Sequence, residues 1–477
     1  MRGGGAAPIP WTMAAPGRPP VPCRAAMPVP LPPDLSSSSP ASPVPAQADR
    51  RRHVAVIGAG IVGTACAIEI LRTGRSVTLL DPHASGGPEA TSYGNAGWLS
   101  SHSILPPSSP GMWKQLPGYL LDPQGPLTVR WGYLPRALPW LWRFLRSGRT
   151  PARVARTAHA LRQLLRDAPA LHARLAGEAG VPHLVAQRGL LHVYRSRADF
   201  EADALGWRLR GEEGIAFRTL EAGELRAQEP ELAPAYGFGV RVDEAGHCAN
   251  PGAYLAALAA HAQSRGARHV AARATGLRIA SGRLAAVRTD AGDVPCDAAV
   301  IAAGAYSRPL ARDAGDRVWL DTERGYHAML DVRARPGEAP PPGPRTSTMV
   351  MDRKLIVHQM EHGLRVAGQV EIAGLQAAPD WRRARILLEH LFALYPALPR
   401  PALESGARFW MGRRPSTSDG LPCIGPAAGC ADVVHAYGHG HVGLGSSART
   451  GRVVAQLLDG CAPEIDIAPF SPGRWRR

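Results

Sequence analysis

Residues 53–81 read HVAVIGAGIVGTACAIEILRTGRSVTLLD, and their order of strand, glycine turn, helix and strand decides the fold. Val54, Val56 and Ile57 form a short apolar run, as a strand covered on both faces does. Gly58, Gly60 and Gly63 follow in GxGxxG spacing. The first makes a tight turn, the second lets a pyrophosphate approach the backbone, and the third lets helix pack on strand. An apolar helix is predicted through Leu71 and closed by Gly74. Its N-terminus offers unpaired N–H groups and partial positive charge to a phosphate. Asp81, ending the second strand SVTLL, is placed to bond ribose hydroxyls. The turn residues Gly58, Ala59, Gly60, Ile61, Val62 and Gly63, with Asp81, therefore make a dinucleotide site.

Working outward, residues 1–50 carry 13 prolines and the run Ser36–Ser39. Such a segment buries little apolar surface and is read as a disordered tail. On the other side comes ATSYGNAGWLS (90–100), small and hydroxyl-rich, suited to lie along an extended cofactor. Much later, DAAVIAAGAYS (297–307) is a buried strand and turn that brings backbone to the same cofactor. One nucleotide-binding unit with contacts from three distant regions fits FAD better than NAD. ARILLEHLFALYPAL (384–398) is a late amphipathic helix.

Composition narrows the class. The chain has 477 residues, 45% of them hydrophobic and 20% charged, as in a soluble globular enzyme, but its net charge is +16. Of 55 basic residues only Lys114 and Lys354 are lysines. The arginines are scattered, which reads as compositional bias over a solvated surface; the sharper alternative is attraction to anionic membrane lipid or to anionic substrates. No basic run carries interleaved aromatics, so no nucleic-acid partner is expected. Seven cysteines without CxxC spacing argue for reduced thiols and a cytoplasmic protein. GYLPRALPWLWRFLRSG (132–148), with Arg136, Arg143 and Arg146, either packs on a neighbouring domain or lies at the inner membrane surface. Its prolines weaken a long helix there.

The stretch AYGHGHVGLGSS (436–447), with His435 just before it, places three imidazoles within seven positions. His435 and His439 would share a helix face, as metal ligands can. Gly438, Gly440, Gly443 and Gly445 break such a helix, and no acid or Cys completes a ligand set. The reading is instead a glycine turn feeding the helix SSARTGRVVAQLL, with no metal. The N-terminus of that helix would face the flavin pyrimidine edge, and His439 or His441 would reach flavin or substrate.

Taken together, HVAVIGAGIVG, EATSYGNAG, DAAVIAAGAYS, ERGYH and GRRPSTSDGLPCIGP…AYGHGHVGLGSSARTG resemble the FAD-dependent D-amino-acid dehydrogenases, within the D-amino-acid oxidase and glycine oxidase group, over about residues 53–459. The resemblance implies an α/β fold: a Rossmann-like FAD-binding domain from several segments (51–105, 241–320 and 405–477), and a substrate domain with a mixed or antiparallel sheet (106–240 and 321–404). It adds Ser92, Asn95, Ala96, Gly97, Val270, Ala303, Gly304, Gly440, His441, Val442 and Gly443 to the flavin contacts, with FAD held non-covalently. It implies oxidative deamination of a D-amino acid, or of a cyclic imino acid such as a proline analogue, by hydride transfer from Cα to flavin N5. Electrons then pass to a quinone or other respiratory acceptor, or to oxygen in an oxidase. Arg414 matches the arginine that pairs with the substrate carboxylate. Tyr326, His327 and His441 are further candidates for contact with the substrate. Arg449 would lie near the flavin or point to solvent. A flavin-containing RNA-modifying protein is the alternative of another class.

Overall fold

The structure is a computed structural model that describes residues 52–332 and 342–476. The proline-rich segment read as a tail lies outside the described residues. Strand β1 (His53–Ile57) leads through the glycine turn into helix α1 (Ile61–Arg72) and strand β2 (Ser76–Leu80). Gly74 takes φ +83 and donates to the Leu71 carbonyl at 3.0 Å, so it ends α1 as the sequence predicts. β1 is apolar along its length because parallel strands flank it on both sides, β2 and Ala298–Ile301. The six-stranded sheet runs 268–270, β2, β1, 298–301, 433–437, 423–426 and is parallel except at its last edge.

Helix α2 (Leu134–Ser147) forms despite its prolines. Pro135 sits in the first turn, where no N–H bond is lost, and Pro139 lies on the exposed side. A second, nine-stranded sheet is mixed. Its strands β3 (Leu320–Leu330), β4 (Gly363–Ile372) and β5 (Arg408–Thr417) pair antiparallel, with β3 in the middle. One face of this sheet is apolar and covered by helix α3 (Arg382–Leu394), which buries Leu387 and Leu391 against Leu355, Val366 and Tyr326. β5 belongs here and not with the six-stranded sheet, although the sequence grouped 405–477 with the nucleotide-binding segments. Ten residues of continuous pairing with β3 hold it.

The last helix, α4 (Gly443–Leu458), packs tightly on α1. A Cβ at Gly451 would lie 2.6 Å from the Ala65 carbonyl oxygen, so only glycine permits this spacing. Both helices start at the same cleft, beside Gly60 and Gly443.

Candidate active site

The cleft, of about 360 Å³, opens where the β1–α1 turn, the 90–97 loop, the turn after strand 298–301 and the start of α4 converge. Gly58 has φ +103, and a Cβ there would lie 2.5 Å from the Ala302 carbonyl oxygen. At Gly63 a Cβ would overlap the Gly58 carbonyl, whereas Gly60 faces open space. The three glycines thus divide their work as the spacing predicts: two close the turn and one leaves room for a ligand. Asp81 is oriented by two backbone donors, Ala59 N–H at 2.9 Å and His83 N–H at 3.0 Å. Its remaining lone pairs face the cleft, as a ribose acceptor requires. Ser92 accepts from Ile61 N–H at 3.3 Å, tying the 90–97 loop to the helix start.

Of the sequence-predicted cofactor residues, Gly58 to Val62, Asp81, Ser92, Asn95, Ala303, Gly304, Gly440 and Gly443 line this cleft. Gly63, Ala96, Gly97, Val270, His441 and Val442 are not among its lining residues. Gly63 packs helix on strand, Ala96 sits in the loop, and Gly97 (φ +82) donates to the Asn95 side chain at 2.8 Å. Val270 pairs with Leu80 and accepts from Asp81 N–H, while Val442 precedes the first turn of α4. An open glycine turn, a backbone-oriented acid and two helix N-termini are a donor set that fits FAD.

Beside the cleft, the face of the nine-stranded sheet opposite α3 carries Arg414. Its side chain crosses over Gly325, where a Cβ would lie 2.1 Å from Nη2. Nη1 donates to the Gln369 carbonyl at 3.0 Å and Nη2 to Gly368 at 3.4 Å. Among the described residues the guanidinium bonds carbonyls rather than a carboxylate, so none of them cancels its charge by direct contact. Glu323 is its cross-strand partner in register and is 7% exposed. Burial pushes the Glu323 carboxyl up; the Arg414 charge and the Ser416 hydroxyl, which donates at 3.0 Å, oppose that shift. Between Arg324 and Tyr326 the β3–β4 register slips, and Gln369 takes φ +59 with its side-chain oxygen buried and unpartnered.

The three imidazoles of the C-terminal stretch go three ways. His435 bonds buried Asp316 at 2.9 Å, and His439 bonds Thr450 Oγ1 at 3.1 Å with its pKa lowered by burial to about 3. His441 has exposed surface, yet burial and then the Arg414 charge lower its pKa to about 4.

Tyr326 and His327 do not take the places the sequence expected. Strand alternation turns Tyr326 to the opposite face of the sheet. There it donates to Glu371 at 2.5 Å, accepts from Asp380 N–H, and packs under α3. His327 shares the face of Arg414 but stacks on Trp410 and bonds the Gly94 carbonyl at 3.1 Å. It holds the 90–97 loop, together with Arg365, which donates to the Asn95 carbonyl at 2.6 Å. Arg449, read as near the flavin or in solvent, instead pairs with Glu464 and Asp167. Sequence reasoning missed Glu323 and Gly325, both within ERGYH. The period of two that places Gly325 and Glu323 beside Arg414 was the available signal.

Residues 53–457 match the profile of the family described as DAO, FAD dependent oxidoreductase. A D-amino-acid oxidase of Bradyrhizobium diazoefficiens is 58% identical over 424 residues, 89% of this chain and 99% of the relative. A D-amino acid dehydrogenase of a Methylobacterium species is 33% identical over 441 residues, again 89% and 99%. Glycine oxidase from Geobacillus kaustophilus shares the fold, with a TM-score of 0.65 at 23% identity over 89% of this chain and 99% of that one. The chain belongs to the DAO family of FAD-dependent oxidoreductases.

Proposed function

We propose that the protein oxidises a D-amino acid to the imine that water converts to a keto acid and ammonia, or a cyclic imino acid such as a D-proline analogue to the cyclic imine, whose nitrogen stays in the product. The observation that carries this is Arg414, a desolvated guanidinium beside the cleft that, among the described residues, bonds only carbonyls. Its planar fork suits both oxygens of a substrate carboxylate. FAD, when bound, supplies the hydride acceptor. The β1–α1 turn, Asp81 and the start of α4 would hold it non-covalently, and the face of the nine-stranded sheet opposite α3 would hold the substrate. Two helix N-termini at one cleft favour the negative charge of the pyrophosphate and of the reduced cofactor. Glu323, one strand from Arg414, is placed to keep the substrate nitrogen near that acid while Arg414 holds the carboxylate. Tyr326 has no part in this reading.

Anaerobic mixing of the yellow protein with D- and L-amino acids tests it. Bleaching by D-enantiomers is expected; no bleaching by any amino or imino acid would end the proposal. Two acceptors remain distinct. Oxygen is favoured by the relative at 58% identity, whose name is that of an oxidase. A quinone is favoured by the exposed apolar and basic helix α2. Stoichiometric peroxide in air selects the first, and its absence with rapid turnover on a soluble quinone selects the second.

A further inference from the structure

Helix α2 carries a surface that chemistry in the cleft does not use. Of the eight large hydrophobic side chains exposed among the described residues, six lie between positions 113 and 142, including Trp131, Leu138 and Trp142. Leu138 and Trp142 stand one turn apart on the outer face of α2, and Trp131 precedes the helix at 73% exposure. Clustered apolar side chains of this size mark a surface that something covers. The charge around them is one-sided. Residues 123–166 contain nine arginines and no Asp, Glu or Lys. Arg130, Arg162 and Arg166 reach carboxylates, whereas Arg136, Arg146 and Arg149 are exposed beside the tryptophans.

We propose that the outer face of α2, with Trp131, docks the protein on an anionic lipid surface. Indole rings suit the headgroup level, and arginine stems lie along apolar surface while their heads meet lipid phosphate. A protein partner would need a strongly acidic face with apolar pockets; an anionic bilayer supplies both properties everywhere. The helix lies on the membrane and does not cross it: among the described residues no helix is long and apolar enough to span one. Its inner face explains why the position matters. Trp140 donates to the Ser416 carbonyl at 3.2 Å, on the strand that carries Arg414, and Tyr133 donates to Asp321 on β3 at 3.0 Å. The lipid-facing helix is therefore tied to β5 and β3, the strands that carry Arg414 and Gly325. Delivery of a lipid-dissolved acceptor from that side rests on the quinone reading above; the docking itself does not.

The test is flotation of the FAD-loaded full chain with vesicles of phosphatidylglycerol and phosphatidylcholine, against phosphatidylcholine alone. Flotation is expected only with the anionic vesicles and is expected to weaken as salt rises. Trp131→Ser with Trp142→Ser should abolish it while flavin absorbance is retained. Arg136→Gln and Arg146→Gln should each lower partitioning about fivefold. Failure of the wild type to float with anionic vesicles, or equal flotation with neutral ones, would overturn the proposal. So would a wild-type dimer that the Trp131→Ser, Trp142→Ser protein loses in sedimentation, since the face would then meet a second copy. None of these readouts depends on which amino acid is oxidised or on the acceptor.

Discussion

Arg414 and Gly325 act as a pair at the level of single residues. The guanidinium reaches its place only because position 325 has no Cβ. Arg414→Ala should lower kcat/KM for a D-amino acid by about thirtyfold or more, as loss of a buried charge-assisted pair does, with FAD affinity intact. An unchanged kcat/KM would remove Arg414 from the site. Gly325→Ala should raise KM more than it lowers kcat, because it displaces the carboxylate partner without touching the reacting carbon. Arg414 was legible in the sequence because RRPSTSDG resembles a known motif. Its dependence on Gly325 was not, since a cross-strand contact between residues 89 positions apart needs the register. Tyr326 shows the converse: ERGYH names the residues near the site, but only the pleat decides which of them face it.

Between elements, the decisive contact is α1 against α4. Gly451→Val would force the helices apart at the Ala65 carbonyl. Overpacking of this kind costs about 1–3 kcal/mol, and here it should also weaken FAD binding, since both helices begin at the cleft. The urea midpoint and the FAD dissociation constant should therefore move together; a shift in the midpoint alone would mean that the cleft tolerates helix displacement. Strand β1, helix α1 and Gly74 were readable because local periodicity and capping determine them. The membership of β5 was not readable, because a strand's partner is set by pairing over long sequence distance and not by its own pattern.

Across the whole molecule, buried imidazoles set the response to acid. Burial lowers the pKa of His172 to about 4 and those of His327 and His439 to about 3, from an ordinary 6.5. As pH falls below 6.5, the unfolded chain takes up protons that these folded side chains still refuse. Stability is therefore lost on acidification, by about 1.4 kcal/mol per pH unit for each such group until its folded pKa is reached. Melting temperature should fall steeply between pH 6 and pH 4; a flat profile there would show that these imidazoles accept protons without unfolding. The scattered arginines of the sequence acquire meaning only at this scale, where some pair across distant segments, as Arg75 does with Asp459, and others stand together on α2.

The six-stranded sheet takes its strands from 53–80, 268–301 and 423–437, and its cleft is closed by a helix that begins at Gly443. During synthesis the ribosome must release nearly the whole chain before the last strand and helix can join the first. A nascent chain therefore carries the glycine turn for most of its translation without a complete cradle for flavin. Such long-range closure is slow, and the complete cradle for flavin is among the last parts of the fold to assemble.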